Sequence, residues 1–303
     1  MKRVVVIGAG EIGAGWAALF AAHGTDVTLI DPDADALSRA RAALRQARAL
    51  GVGRGQPGAF LVSRDLEPAL PLAEWIQDAT PEALELKQSL FARVESLASP
   101  NAVLATSTSS LTRAQLSAGM RDPARLVIVH PLQPVYAVSV VEVNADPALP
   151  RESLERVLDG LRSLGRDPVV VTGDAAGLVA NRLTAALLRE AFDLIAKGAI
   201  HAADLDRLVA RGIALGWVVR GPLMTEVIGA RLEAPEGLPG ALATTLAPLW
   251  ETLASWPALT PEARAALERD LRSSLGAIQK AHAAGESTWA KTLSRVARAA
   301  EAD

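Results

Sequence analysis

The chain has 303 residues, half of them hydrophobic and 21% charged, which suits one large or two ordinary globular domains. A net charge of −3 gives no electrostatic reason to expect a nucleic-acid or anionic-membrane partner. The absence of cysteine excludes disulfides, thiolate nucleophiles and cysteine metal sites, and is compatible with the reducing cytoplasm where we expect the protein to reside.

The start, MKRVVVIGAG, has two basic residues and a short apolar run, but the run breaks at GAGEIG, too early for a signal peptide. No apolar stretch reaches the ~18 residues of a membrane span, so none is expected. RVVVI (3–7) reads as a buried strand, GAGEIGAG as a glycine turn, WAALFAAH as a helix closed by Gly24, and DVTLID as a second strand. An alanine- and arginine-rich helix is expected over 34–50 and a glycine-rich loop over 51–58. The pattern then repeats, with strand EWIQDA, helix PEALELKQSLFARVESLA opened by a proline, and strand NAVLATS. LVIVH (126–130) and SVVEV (139–143) are further strands, followed by a helix over 151–164 and strand DPVVVTG (167–173). This alternation predicts a doubly wound α/β sheet over 1–173.

After about residue 174 the strand signals stop. GLVANRLTAALLREAFDLIAKG sets Val179, Leu183, Leu187, Ala191 and Ile195 four residues apart, an amphipathic stripe that must pack on something. The rest of 174–303 reads as helices separated by Gly and Pro, an all-α domain. His23, His201 and His282 lie beside turn or polar residues without metal-ligand spacing, and no metal is expected.

Gly8, Gly10 and Gly13 form G-x-G-x-x-G between a strand and a helix, with Glu11 and Ile12 completing the helix start. Gly8 permits the tight turn, Gly10 lets backbone approach a pyrophosphate, and Gly13 lets helix and strand pack closely, with the helix N-terminus facing the phosphate charge. Asp31 ends the second strand, where a carboxylate accepts from a ribose 2′-OH and repels a 2′-phosphate, so NAD is expected over NADP. Asp33 either adds to that bias or caps the next helix.

His130 ends a strand whose carboxyl end would face the ligand crevice, and Glu142 is a carboxylate among valines in the next strand. A fold-back through PLQPVYA can bring them together, making His130 a general base whose tautomer Glu142 fixes; the alternative is a structural histidine and an acid paired with some arginine. ATSTSSLT (105–112) either lines the crevice with hydroxyls or caps the helix that follows. Asn181 either donates to a substrate oxygen or bridges backbone where the two domains join.

Taken together, the glycine fingerprint, TSSL at 108–111, the HP…P…VEV block and GLVANR resemble the 3-hydroxyacyl-CoA dehydrogenase family in order and approximate spacing, over nearly the full length. The resemblance implies a Rossmann-like domain followed by an all-α C-terminal substrate and dimerisation domain, NAD, and a homodimer. It also implies His130 as catalytic base, Glu142 as its partner acid, Ser109 as a contact to the substrate oxygen, and Asn181 as a residue that helps hold it. Trp16, Pro131 and the pair Val135 and Tyr136 are more similar to the lambda-crystallin (L-gulonate 3-dehydrogenase) and L-carnitine dehydrogenase branches. Gln133, Ala176 and Ser139 depart from the family pattern, at the loop after His130, before GLVANR, and where the non-CoA branches tend to have proline.

Coenzyme A calls for cations. The region after the second strand is short, no lysine occurs between Lys2 and Lys87, and Arg39, Arg41, Arg45 and Arg48 spread over more than one helix face. The expected activity is oxidation of the 3-hydroxy group of a small free acid, L-gulonate- or L-carnitine-like. The alternatives are a 3-hydroxyacyl-CoA dehydrogenase of fatty-acid metabolism and a non-catalytic NAD-binding or crystallin-like structural protein. Arg182 and Arg220 are candidates to hold a carboxylate; Trp217 and Tyr136 would form part of an aromatic cage or serve as core aromatics. A related class with an interdomain catalytic lysine does not fit, because 174–196 contains none.

Overall fold

The computed structural model describes residues 1–231, 237–274 and 276. The chain divides into two compact units, Met1–Arg182 and Leu183–Asp303. The first is built on an eight-stranded sheet in the order β3-β2-β1-β4-β5-β6-β7-β8. Its strands are β1 (Arg3–Ile7), β2 (Asp26–Ile30), β3 (Phe60–Ser63), β4 (Trp75–Asp78), β5 (Val103–Thr106), β6 (Leu126–Pro131), β7 (Val140–Asn144) and β8 (Asp167–Val170). All neighbours pair in parallel except β6 and β7. The helices of this unit are α1 (Glu11–Ala22), α2 (Ala36–Ala49), α3 (Leu84–Leu97), the one-turn α4 (Arg113–Leu116) and α5 (Arg151–Ser163). This is the expected Rossmann-like α/β architecture.

Two apolar layers sandwich the sheet, as required when both faces of parallel strands are buried. On one face Val4, Val6, Val127, Val129, Val141 and Val143 join Trp16, Leu19 and Phe20 of α1 and Leu158 and Leu161 of α5. On the other, Val5, Ile7, Ile76 and Leu104 meet Phe91 and Val94 of α3 and Leu116 of α4. Inside the first layer Trp16 stacks on Phe20 with ring centroids 5.8 Å apart, and Phe20 meets Trp75 at a tilt of 58° and 5.9 Å.

β3 is the one strand not anticipated from the sequence. FLVS sits at the sheet edge with Leu61 64% exposed, so it lacks the alternation that marks a half-buried strand. Within ATSTSSLT the helix cap falls to Thr112 alone. Its Oγ1 accepts from Gln115 N–H while the Gln115 side chain accepts from Thr112 N–H, a capping box.

α6 (Ala180–Ala196) leads from the first unit into the second. The second unit continues with α7 (Ala202–Leu208), a π-helical turn (Val209–Ile213), α8 (Ala214–Arg220), α9 (Pro222–Gly229), α10 (Leu238–Trp250) and helix over 261–274, with no strand among the described residues. The expected helices over 277–303, His282 included, and the segment 232–236 lie outside the described residues. Among the described residues, only the last part of the α6 stripe finds a core. Ala191 and Ile195 are buried, Ile195 with Ala202 and Leu267, whereas Val179, Leu183 and Leu187 are 48%, 63% and 41% exposed.

Candidate active site

The glycine turn shows what each glycine is for. Gly8 has φ +87°, in the left-handed region, and a Cβ there would lie 2.6 Å from Ala79 O in the loop after β4. A Cβ on Gly13 would lie 1.8 Å from Gly8 O, so only glycine lets α1 start this close to β1. Gly10 is different: a Cβ on it would meet nothing within 4 Å. Its φ of −64° suits any residue, so neither backbone strain nor a neighbouring atom calls for glycine here. The open space lies at the N-cap of α1, where the first helical N–H groups have no intrahelical acceptor. Glu11 is exposed and Ile12 half-buried beside it. That combination fits a pyrophosphate pressed against backbone.

At the end of β2, Asp31 accepts from Ala9 N–H at 2.6 Å through Oδ2 and from Asp33 N–H at 2.8 Å through Oδ1. These bonds dock the glycine turn to the acid and orient its carboxylate. Its side chain is 13% exposed, within reach of a ribose.

His130 and Glu142 are directly opposed in the β6–β7 register. Residues opposite each other in an antiparallel pair project to the same face. Val129, Val141 and Val143 point into the α1 layer, so strand alternation turns His130 and Glu142 to the other face. His130 Nδ1 is 2.8 Å from Glu142 Oε2, and both side chains are under 10% exposed. Glu142 Oε1 accepts from Val179 N–H and Ala180 N–H, each at 2.9 Å, at the start of α6. The carboxylate set among valines thus has partners on both oxygens.

One residue further along, Asn181 Nδ2 donates to Ser109 O at 3.0 Å. The four residues expected at the reaction centre are therefore joined by one chain of contacts, from His130 through Glu142, the start of α6 and Asn181 to Ser109. Among the described residues, none of these bonds uses the Ser109 hydroxyl.

The hydroxyl-rich turn is shaped by a carboxylate that no local pattern in the sequence marks, Glu82. Glu82 Oε1 accepts from Ser109 N–H, Ser110 N–H and Ser110 Oγ–H at 2.9 Å each, and from Thr108 Oγ1–H at 2.5 Å. Burial opposes its charge, but the bonds from Thr108, Ser110 and Ser109 outweigh that and hold its carboxyl below the usual range. Behind it, Lys87 Nζ lies 2.6 Å from Asp78 Oδ2, with both side chains 1% exposed, and donates to Thr80 O at 3.1 Å. Asp78 Oδ2 also accepts from Thr106 Oγ1–H at 2.7 Å. One signal was readable: Lys87 stands in the first turn of α3, where the helix dipole disfavours a cation. On the other side, Trp16 Nε1–H and Gln77 Nε2–H both donate to Ser107 Oγ, at 2.9 and 2.8 Å, which ties α1 to the same turn.

The loop from His130 to Glu142 is held at several points. Tyr136 O–H donates to Gln46 Oε1 on α2 at 2.5 Å, Val135 packs on Gly15, and Arg166 Nη1 donates to Val135 O and Val138 O. The Gln133–Pro134 bond in it is cis. Burial, then the nearby Glu11 charge, raise the Tyr136 pKa, so it stays a neutral donor.

Residues 3–175 match the family model described as "3-hydroxyacyl-CoA dehydrogenase, NAD binding domain". A 3-hydroxyacyl-CoA dehydrogenase of Gibberella moniliformis is 34% identical over 242 residues, covering 78% of this chain and 75% of that protein. An L-carnitine dehydrogenase of Streptomyces coelicolor is 35% identical over 230 residues, covering 74% of this chain and 72% of that protein. Among solved structures, 5-formyl-3-hydroxy-2-methylpyridine 4-carboxylic acid 5-dehydrogenase, an NAD+-dependent dismutase, superposes over 99% of both chains with a TM-score of 0.81 at 26% identity. On these matches the chain belongs to the 3-hydroxyacyl-CoA dehydrogenase family and is an NAD-dependent oxidoreductase acting on CH–OH groups.

Proposed function

We propose that the protein oxidises the 3-hydroxy group of a small free 3-hydroxy acid, L-carnitine- or L-gulonate-like, to the 3-oxo product, with His130 as general base. The observation that carries this reading is the bond from His130 Nδ1 to Glu142 Oε2. With Nδ1 given to Glu142, Nε2 is the nitrogen left to take the hydroxyl proton. Glu142 then offsets the imidazolium charge, and the N–H groups of Val179 and Ala180 keep its carboxylate from turning away. The nicotinamide, when bound, supplies the hydride acceptor. Ser109, on the turn that Glu82 keeps in shape, and Asn181, at the start of α6, hold the substrate oxygen.

A free acid is favoured because two of the four arginines of α2 already have partners within the chain. Arg39 is tied to Asp33 and to Ala9 O, and Arg48 Nη2 donates to Gly55 O at 3.0 Å. That leaves fewer of them for the phosphates of coenzyme A. The L-carnitine dehydrogenase relative points the same way, while the Gibberella relative supports the second reading, a 3-hydroxyacyl-CoA substrate. A panel of L-carnitine, L-gulonate, 3-hydroxybutyrate and 3-hydroxybutyryl-CoA with NAD+ decides between them. Turnover on a free acid supports the proposal, and turnover confined to the thioester overturns it.

Two expectations join this reading: 1–173 as NAD domain with 174–303 as substrate and dimerisation domain, and a homodimer formed through the C-terminal helices. Supporting the latter, the large apolar side chains Leu183, Val219, Leu223 and Trp250 of the C-terminal helices are each more than half exposed. Sedimentation as a monomer at micromolar concentration would remove the dimer.

A further inference from the structure

Three acids and one base meet at the end of β2, and they are not equivalent. Asp31 binds the backbone of Ala9 and Asp33 and lies 3.9 Å from Arg39 Nη2. Arg39 Nε–H donates to Ala9 O at 2.6 Å, so the guanidinium straddles the glycine turn and the acid expected to hold the ribose. Its close ionic partner is Asp33, whose Oδ2 is 2.6 Å from Nη1, while Asp33 Oδ1 accepts from Asp35 N–H at 3.0 Å. Asp35 contributes a third, more distant negative charge. The Arg39 and Asp33 side chains are 35% and 50% exposed, so an incoming ligand can reach this ion pair, and a pair this open is weak.

An arginine beside a ribose-binding acid is the usual means of accommodating a 2′-phosphate. Here that arginine exists, and a carboxylate occupies the group a phosphate would need. We propose that Asp33, by engaging Arg39, is a positioning residue that sets the preference for NAD over NADP, and that Asp31 alone does not. With Asp33 neutral, Arg39 stays anchored to Ala9 O and presents its Nη groups to a 2′-phosphate at the site where Asp31 meets the ribose. The Asp35 N–H, then Arg39, hold the Asp33 carboxyl below its usual range, and Asp33 raises the pKa of Arg39, so both remain charged.

The test is calorimetric titration of NAD+ and NADP+ into the wild-type protein, Asp33→Asn, Asp33→Ser and the double variant Asp33→Asn/Arg39→Ala. Asp33→Ser keeps an acceptor for the Asp35 N–H and carries the test if the turn does not tolerate the amide. In the single variants the affinity for NADP+ relative to NAD+ is expected to rise about tenfold, the scale of one added charge-assisted contact, and the double variant is expected to lose that gain. An unchanged ratio in both single variants overturns the proposal. So does a gain that survives removal of Arg39, since Asp33 would then act by plain repulsion. Binding is read without turnover, so the result does not depend on which hydroxy acid is the substrate.

Discussion

His130 and Glu142 face each other across the β6–β7 pair with Nδ1 and Oε2 2.8 Å apart, and the second oxygen of the same carboxylate grips Val179 N–H and Ala180 N–H at the start of α6. The acid that orients the imidazole is thus also the anchor of the segment that delivers Asn181 to Ser109. Glu142→Gln separates these duties. A glutamine oxygen can still accept from Val179 and Ala180, but its NH2 group would then face Nδ1 and favour the wrong tautomer. Turnover is expected to fall about a hundred- to ten-thousand-fold with little change in NAD+ affinity, measured by steady-state kinetics and by titration of the cofactor.

Gly10 and Gly13 should respond in opposite ways to the same added methyl group. Gly10→Ala finds open space and an ordinary φ, so the unfolding midpoint stays where it was while NAD+ binding weakens by about tenfold or more. Gly13→Ala forces a Cβ against Gly8 O and is expected to destabilise the fold by about 1–3 kcal/mol. Denaturant melts and NAD+ titrations of both variants check the contrast.

Lys87→Met leaves the Asp78 carboxylate buried without its cation. Breaking a buried pair from one side costs about 3–5 kcal/mol, far more than removing an exposed one. Urea unfolding is the measurement, with Asp78→Asn/Lys87→Met expected to recover part of the loss.

His201 in the second unit lies 2.5 Å from Asp270, which also accepts from Ala202 N–H at the start of α7. The Asp270 hydrogen bond, then its charge, raise the His201 pKa, and the bonds from His201 and Ala202 lower that of Asp270. A raised histidine adds stability that is fully present below its unfolded pKa and is lost as pH rises through the folded value. A lowered carboxylate adds stability present above its unfolded pKa and lost as pH falls through the folded value. The clamp is therefore strongest between the two, and the melting temperature should decline as pH rises past the ordinary histidine range. His201→Gln should flatten that decline in a scan of melting temperature against pH.

Much of this architecture is legible in the order of residue types. Valine-rich runs alternate with alanine- and leucine-rich ones because strands buried on both faces and helices packed against them bury different side-chain patterns, and the glycines at 8, 10 and 13 stand where backbone itself must be approached. That short-range physics also marks Asp31 and His130 by their places at strand ends and Glu142 as a carboxylate among valines, whereas Ser109 is singled out by the family resemblance and Asn181 keeps two readings without it. It does not say which groups touch. His130 meets Glu142 because β7 reverses direction, a choice made by sheet pairing over a loop that Tyr136, Val135 and Arg166 hold in place. Glu82 lies 27 residues before Ser109 in the chain and reaches its N–H only because β4 and β5 are neighbours. The α6 stripe likewise has a clear period, but where its apolar side chains find cover depends on the surfaces that fold around it. Among the described residues, Ala191 and Ile195 have such a surface, whereas Leu183 and Leu187 are exposed. Local propensity and periodicity act over a few residues, so they decide elements; the contacts that make a site are long-range and exist only once the sheet has set its strand order.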